Sequence, residues 1–152
     1  MKNEQQYHDT INILKEAYFN DTLQHLTCAA CAVGNIIAAK TGKKIVLNTS
    51  YTLTKWEGYN RDYSLNWLYL VEYENRISPN LPKDLDAAKE QIKATGYTSY
   101  ELHLVEDAFE TADKGNSQDD WMFNGLMAVV DVLGEIHEVE AEQTELSKQL
   151  FI

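Results

Sequence analysis

Cysteine is scarce in this chain: two in 152 residues, Cys28 and Cys31, three positions apart. That is too few and too close for a disulfide scaffold, and a reducing compartment leaves both as thiols. Proline occurs only at Pro79 and Pro82, and the seven glycines are scattered. No Pro-rich or Gly/Ser-rich linker and no internal repeat divides the chain, so residues 1–152 read as a single domain. Long apolar runs are missing too. The opening Met1-Lys2-Asn3-Glu4-Gln5-Gln6 has no segment suited to a secretory signal or a membrane span, so the expectation is a cytoplasmic protein without membrane contact. Positive charge is short as well: 13 Lys and Arg stand against 24 Asp and Glu, a net charge of −11. Such a balance disfavours direct binding of nucleic acid or anionic lipid.

What is present is enough for one core. Hydrophobic residues make up 44% of the chain, an ordinary globular share without the signature of disorder. Tyr7, Ile11, Leu14 and Tyr18 step by four, three and four, which predicts a helix over about residues 4–18. A second, deeply buried helix is expected from an N-cap at Thr27 to Thr41-Gly42. Between Lys44 and Ile77 the texture turns β-branched and aromatic. Ile45-Val46-Leu47, Tyr51-Thr52-Leu53 and Trp67-Leu68-Tyr69-Leu70-Val71 predict two or three short strands. Leu85, Ala88 and Ile92 then mark a helix ending at Gly96, and Thr98-Ser-Tyr-Glu101 fits a capping box ahead of Leu102, Val105 and Phe109. Ser117-Gln-Asp-Asp120 repeats that signal before a long last helix carrying Met122, Leu126, Val129, Leu133 and Ile136. The expected class is α+β: a mostly helical domain with a small two- or three-stranded antiparallel sheet in its middle.

Charge is distributed unevenly. Residues 1–98 balance, and the whole excess lies beyond them, where 13 acids face only Lys114 and Lys148. If the two helices there pack as a hairpin, Glu106, Asp107, Glu110, Asp113, Asp119, Asp120 and Asp131, with the glutamates from Glu135 to Glu145, form one acidic surface. The plain account of such a surface is solubility. The functional account is attraction of a basic protein partner, including an enzyme whose basic groove normally holds DNA or RNA. A second candidate surface is aromatic: Tyr51, Trp56, Tyr59, Tyr63, Trp67, Tyr69 and Tyr73 crowd together around Arg61. Trp56 and Tyr59 are its candidate interface anchors. The alternative is a half-buried sheet covering the helices.

Metal and thiol chemistry supply the competing class. Glu106 and Glu110, like Asp131 and Glu135, are i,i+4 carboxylate pairs. A di-iron bundle wants Glu-x-x-His, however, and the chain has Glu135-Ile-His137. The loop from Asp113 to Asp120 fails as an EF-hand, with Gln118 where glycine belongs and Asn124 where the bidentate glutamate belongs. His25-x-x-Cys28-x-x-Cys31 has zinc-compatible spacing, with His103 or His137 as a fourth ligand. The same residues read first as core packing; a thioredoxin-type redox pair would follow a strand, whereas the segment before Cys28 is polar loop, and a nucleophile near a helix start with a histidine base lacks an evident oxyanion element or third partner. No catalytic residue, metal or cofactor is assigned. The expected function is a non-catalytic acidic protein that binds and inhibits a basic partner, and the alternative is a small metal- or thiol-dependent hydrolase. Self-association is left open.

Cys31-Ala-Val-Gly34-Asn35, Gly96-Tyr-Thr, Val105-Glu-Asp-Ala-Phe-Glu110 and Met122-Phe-Asn-Gly-Leu126 are spread over about two thirds of the chain. In these motifs the chain resembles small proteins of bacteria and their phages. The resemblance brings no chemistry with it. It implies a phage or mobile-element origin, and so, by analogy, a partner among host nucleic-acid-processing or defence enzymes, as for an anti-CRISPR-type inhibitor. Gly34 and Gly125 inside helices imply close helix approach.

Overall fold

The computed structural model describes residues 1–47 and 54–152. Among these residues it has seven helices and one two-stranded antiparallel sheet, an α+β arrangement that is mostly helical. The helices are α1 (Glu4–Phe19), α2 (Ala32–Thr41), α3 (Arg61–Glu74), α4 (Leu85–Thr95), α5 (Ser99–Thr111), α6 (Gln118–Ile136) and α7 (Ala141–Gln149). Strands β1 (Ile45–Val46) and β2 (Lys55–Trp56) pair in the register Ile45 to Trp56 and Val46 to Lys55. No helix among the described residues is long and apolar enough to cross a membrane.

Helix α2 sits at the centre. Every residue from Ala32 to Ala38 is buried, a stretch apolar all round except for Asn35, and α1, α4 and α5 pack around it. Helices α5 and α6 pack against each other as a hairpin, the condition on which a single acidic surface depended. Their inner faces contribute Leu102, Val105, Phe109, Leu126, Val129 and Leu133 to the core. Thr98 accepts the Glu101 amide at 3.1 Å and the Glu101 carboxylate accepts the Thr98 amide at 2.9 Å, a complete capping box. Ser117 caps α6 through the Asp120 amide at 3.1 Å. Replacing Thr98 by alanine leaves that first turn uncapped and should cost about 1 kcal/mol, read as a lower urea midpoint with an unchanged slope.

Three expectations are corrected. The run Trp67–Val71 is helical and belongs to α3. Ser64, Trp67 and Val71 are buried while Asp62, Tyr69 and Tyr73 are exposed, a 3.6-residue period that overrides the strand propensity of the aromatic side chains. Helix α2 begins at Ala32 with Cys31 as its N-cap, four residues later than Thr27. Residues 27–31 form a separate turn in which the Thr27 carbonyl accepts from both Ala30 and Cys31. The last helix is α7, after a turn at His137 and Glu138, with Glu138 at a φ of 53°. The glutamates from Glu135 to Glu145 therefore lie on two helices and the turn between them. Tyr51-Thr52-Leu53 lies outside the described residues, and β2 occupies a segment for which no strand was expected.

Candidate functional site

Residues 20–31 connect α1 to α2 without regular structure, so their backbone groups need partners from elsewhere. The chain supplies them from distant positions. The Trp56 indole N–H donates to the Ala29 carbonyl at 2.8 Å, and the Trp67 indole N–H donates to the Cys28 carbonyl at 3.3 Å. From within α2, the Asn35 amide donates to the carbonyls of Thr22, Ala30 and Cys31 at 2.9–3.1 Å, and its oxygen accepts from the Thr22 hydroxyl. Gly34 lets this connection lie directly on the helix: a Cβ there would stand 2.2 Å from the Cys28 carbonyl oxygen.

His25 is held by stacking. Its ring lies between Phe109, at 4.2 Å, and Trp121, at 3.8 Å. Nδ1 faces the Glu110 carboxylate at 3.2 Å and Nε2 faces the Trp121 carbonyl at 3.1 Å. Glu110 also accepts the Leu26 amide, securing a residue whose φ is 62° and which is 80% exposed. Both ring nitrogens of His25 are thus engaged inside the protein. His137 is engaged in the same way, with Nε2 against the Tyr97 hydroxyl at 2.8 Å and Nδ1 donating to the Lys2 carbonyl at 2.7 Å. Among the described residues, no three His, Cys, Asp or Glu side chains converge on a point that could hold a metal ion. The zinc-compatible spacing of His25, Cys28 and Cys31 therefore does not gather a set of metal ligands among the described residues.

Cys31 and Glu106 form the least expected part of the site. Cys31 is fully buried, and its sulfur accepts the Gly34 amide at 3.3 Å as the cap of α2. Its S–H donates to the Cys28 carbonyl at 3.6 Å, and the Glu106 carboxylate lies close enough to bear on its proton. Burial, followed by the Glu106 carboxylate, holds the Cys31 thiol well above its ordinary pKa, so it rests as a thiol and not as a thiolate nucleophile. Burial likewise pushes Glu106 up to about 7, aided by the charges of Glu110, Glu72 and Asp107 and opposed by the Cys31 hydrogen bond. Its Oε2 is sealed from solvent and has no partner. The result is a carboxyl group able to take or give a proton near neutral pH, in contact with a buried thiol.

The residues expected to bind a partner divide into two groups. Asp107, Asp113, Asp119 and Asp120 are exposed on the α5–α6 hairpin. Two of these also order its loop: Asp113 accepts the Gly115 amide at 2.7 Å and Asp120 accepts the Asn116 amide at 2.9 Å. Glu106 turns inward to Cys31 and Glu110 turns to His25. Trp56 is 0% exposed and presents no surface. Tyr59 is 40% exposed and stacks on Tyr63, with Lys43 Nζ 5.2 Å above its ring. The inward course of Glu106 had a signal in the sequence: Leu102, Glu106 and Phe109 follow the i, i+4, i+7 spacing of one helix face.

Beside His25, the end of α1 and the start of α6 enclose a cleft of about 380 Å³, with Tyr18, Leu23 and Met122 as its apolar part and Asp21 and Asp119 as carboxylates in its lining. Comparison with protein-family models, with curated proteins and with solved structures finds no match to this chain.

Proposed function

We propose that the chain is a non-catalytic acidic interaction protein that binds a basic surface of another protein, with one lysine or arginine side chain of that partner entering the cleft beside His25. The observation that carries this reading is the lining of the cleft. An apolar wall suits the methylene stem of a basic side chain and a carboxylate suits its head. Exposed Asp107, Asp113 and Asp120 extend the negative potential beyond the cleft and steer a positively charged partner toward it. A protein that normally grips a phosphate backbone presents such side chains in a groove, and occupation of that groove inhibits it. Nucleic-acid-processing and defence enzymes are the class of partner this implies.

The experiment is capture from a bacterial lysate by the wild-type chain and by a double variant, Asp21→Asn with Asp119→Asn. The expected result is a basic protein retained at low salt, released as salt rises, and bound at least tenfold more weakly by the double variant, since two charge-assisted contacts are lost. Capture that ignores both salt and the two substitutions would overturn the reading.

A further inference from the structure

We propose that Cys28 and Cys31 are a redox-active dithiol that exchanges with disulfides, and that the Glu106 carboxylate takes the proton of Cys31 as the ring closes. The site is separate from the acidic cleft and does not depend on the function proposed above. Both cysteines are thiols in this structure, Cys28 half-buried and Cys31 fully buried. Of the two, Cys28 is the less buried and so the one placed to meet an oxidant first, with Cys31 left to resolve the mixed disulfide from inside. The Thr27 carbonyl accepts from both Ala30 and Cys31, so residues 28–31 curl in a turn. Residues three apart in a turn have Cα atoms within about 7 Å, close to the spans that disulfides bridge.

The surroundings supply what the chemistry requires. The Gly34 amide at the α2 N-terminus points at the Cys31 sulfur and stabilises negative charge as it develops there. No solvent reaches Cys31 to accept its proton, and Glu106, whose buried Oε2 has no partner, is the neighbouring carboxylate. A cysteine present only to fill space needs no carboxyl group beside it. Glu106 is also poorly served by its own surroundings, with an unpartnered Oε2 and raised affinity for a proton. The Trp56 and Trp67 indoles fix the carbonyls of Ala29 and Cys28 and hold the turn in shape.

The reaction balances with a small-molecule or protein disulfide as oxidant. The Cys28 thiol loses its proton to solvent, and the thiolate attacks one sulfur of the oxidant. The oxidant's S–S bond breaks, and its first thiolate leaves and picks up a proton. Cys31 then gives its proton to Glu106 and attacks the Cys28 sulfur. The Cys28–Cys31 bond forms, the mixed disulfide breaks, and the second thiolate leaves and is protonated. One disulfide is reduced to two thiols while the chain loses two hydrogens.

The test is equilibration of the full chain in buffers of reduced and oxidised glutathione, followed by alkylation and mass spectrometry, with circular dichroism to follow the fold. Wild type should lose both alkylation sites together and gain an internal disulfide while folded. Cys31→Ser should accumulate glutathione on Cys28, and Cys28→Ser should keep Cys31 a thiol. Glu106→Gln should slow ring closure by on the order of a hundredfold at neutral pH. It should also flatten the rate profile near pH 7, where Glu106 titrates among Glu72 of α3, Asp107 and Glu110 of α5, and the two thiols. If folded wild type forms no internal disulfide at any glutathione ratio, or only on unfolding, the dithiol assignment is wrong. Closure in Glu106→Gln as fast as in wild type removes Glu106 from it.

Discussion

Gly34→Ala is expected to destabilise the chain by about 4 kcal/mol, seen as a large fall in the urea midpoint. Two effects oppose each other. Alanine gains about 1 kcal/mol over glycine inside a helix. Against this, the new Cβ would lie 2.2 Å from the Cys28 carbonyl oxygen and 2.6 Å from both carbonyl atoms of Ala29. Those contacts are backbone, so no rotamer change relieves them, and overpacking alone costs about 1–3 kcal/mol. Moving the backbone away also pulls both carbonyls off the Trp67 and Trp56 indoles, leaving buried donors unsatisfied at about 1–3 kcal/mol each. The clash outweighs the propensity. A loss of this size is a large part of the roughly 5–15 kcal/mol that holds a domain folded. An unchanged midpoint would show that residues 20–31 are not clamped as described.

Glu106→Gln should change the pH dependence of stability more than any other single substitution. The folded state holds the Glu106 proton up to about pH 7, against an ordinary value of 4.5. Between these values the folded chain binds more protons at this site than the unfolded chain, so stability falls as pH rises through the window. Above pH 7 the folded state carries a buried charge at a cost of about 2–3 kcal/mol, allowing for its partial exposure. The glutamine variant avoids that cost and still offers an oxygen to the Cys31 S–H. Urea titrations at pH 5 and pH 8 check the sign. Wild type should lose stability between the two, and the variant should lose less and be the more stable of the pair at pH 8.

Local signals in the sequence carried far more of this structure than distant ones. The Thr98-Glu101 box, the Ser117 cap and the apolar stripe of α6 are set by residues within a few positions of one another, and each lies where the spacing predicted. The segment Trp67–Val71 misled because aromatic and β-branched side chains favour strands, while the burial of Ser64 with Trp67 and Val71 is a helical period interrupted by polar letters. Helix α7 carries little apolar signal, since its buried residues are Thr144 and Ser147. At the site, the Cys31 cap of α2 is made with Gly34, three residues on, although the sequence placed that cap at Thr27. The surroundings of His25 are not set by neighbours, because Phe109, Glu110 and Trp121 come from more than eighty residues away. The acidic hairpin was readable as charge, but which of its carboxylates face inward depended on the register of α5.

All three tryptophans of the chain touch the segment from His25 to Cys31: two through their indole N–H groups and the third through its ring and carbonyl. Intrinsic fluorescence is therefore a local reporter and not an average over the molecule. Its emission maximum and quenching will follow the state of that one turn, so occupation of the neighbouring cleft or closure of the Cys28–Cys31 ring should be visible without a label.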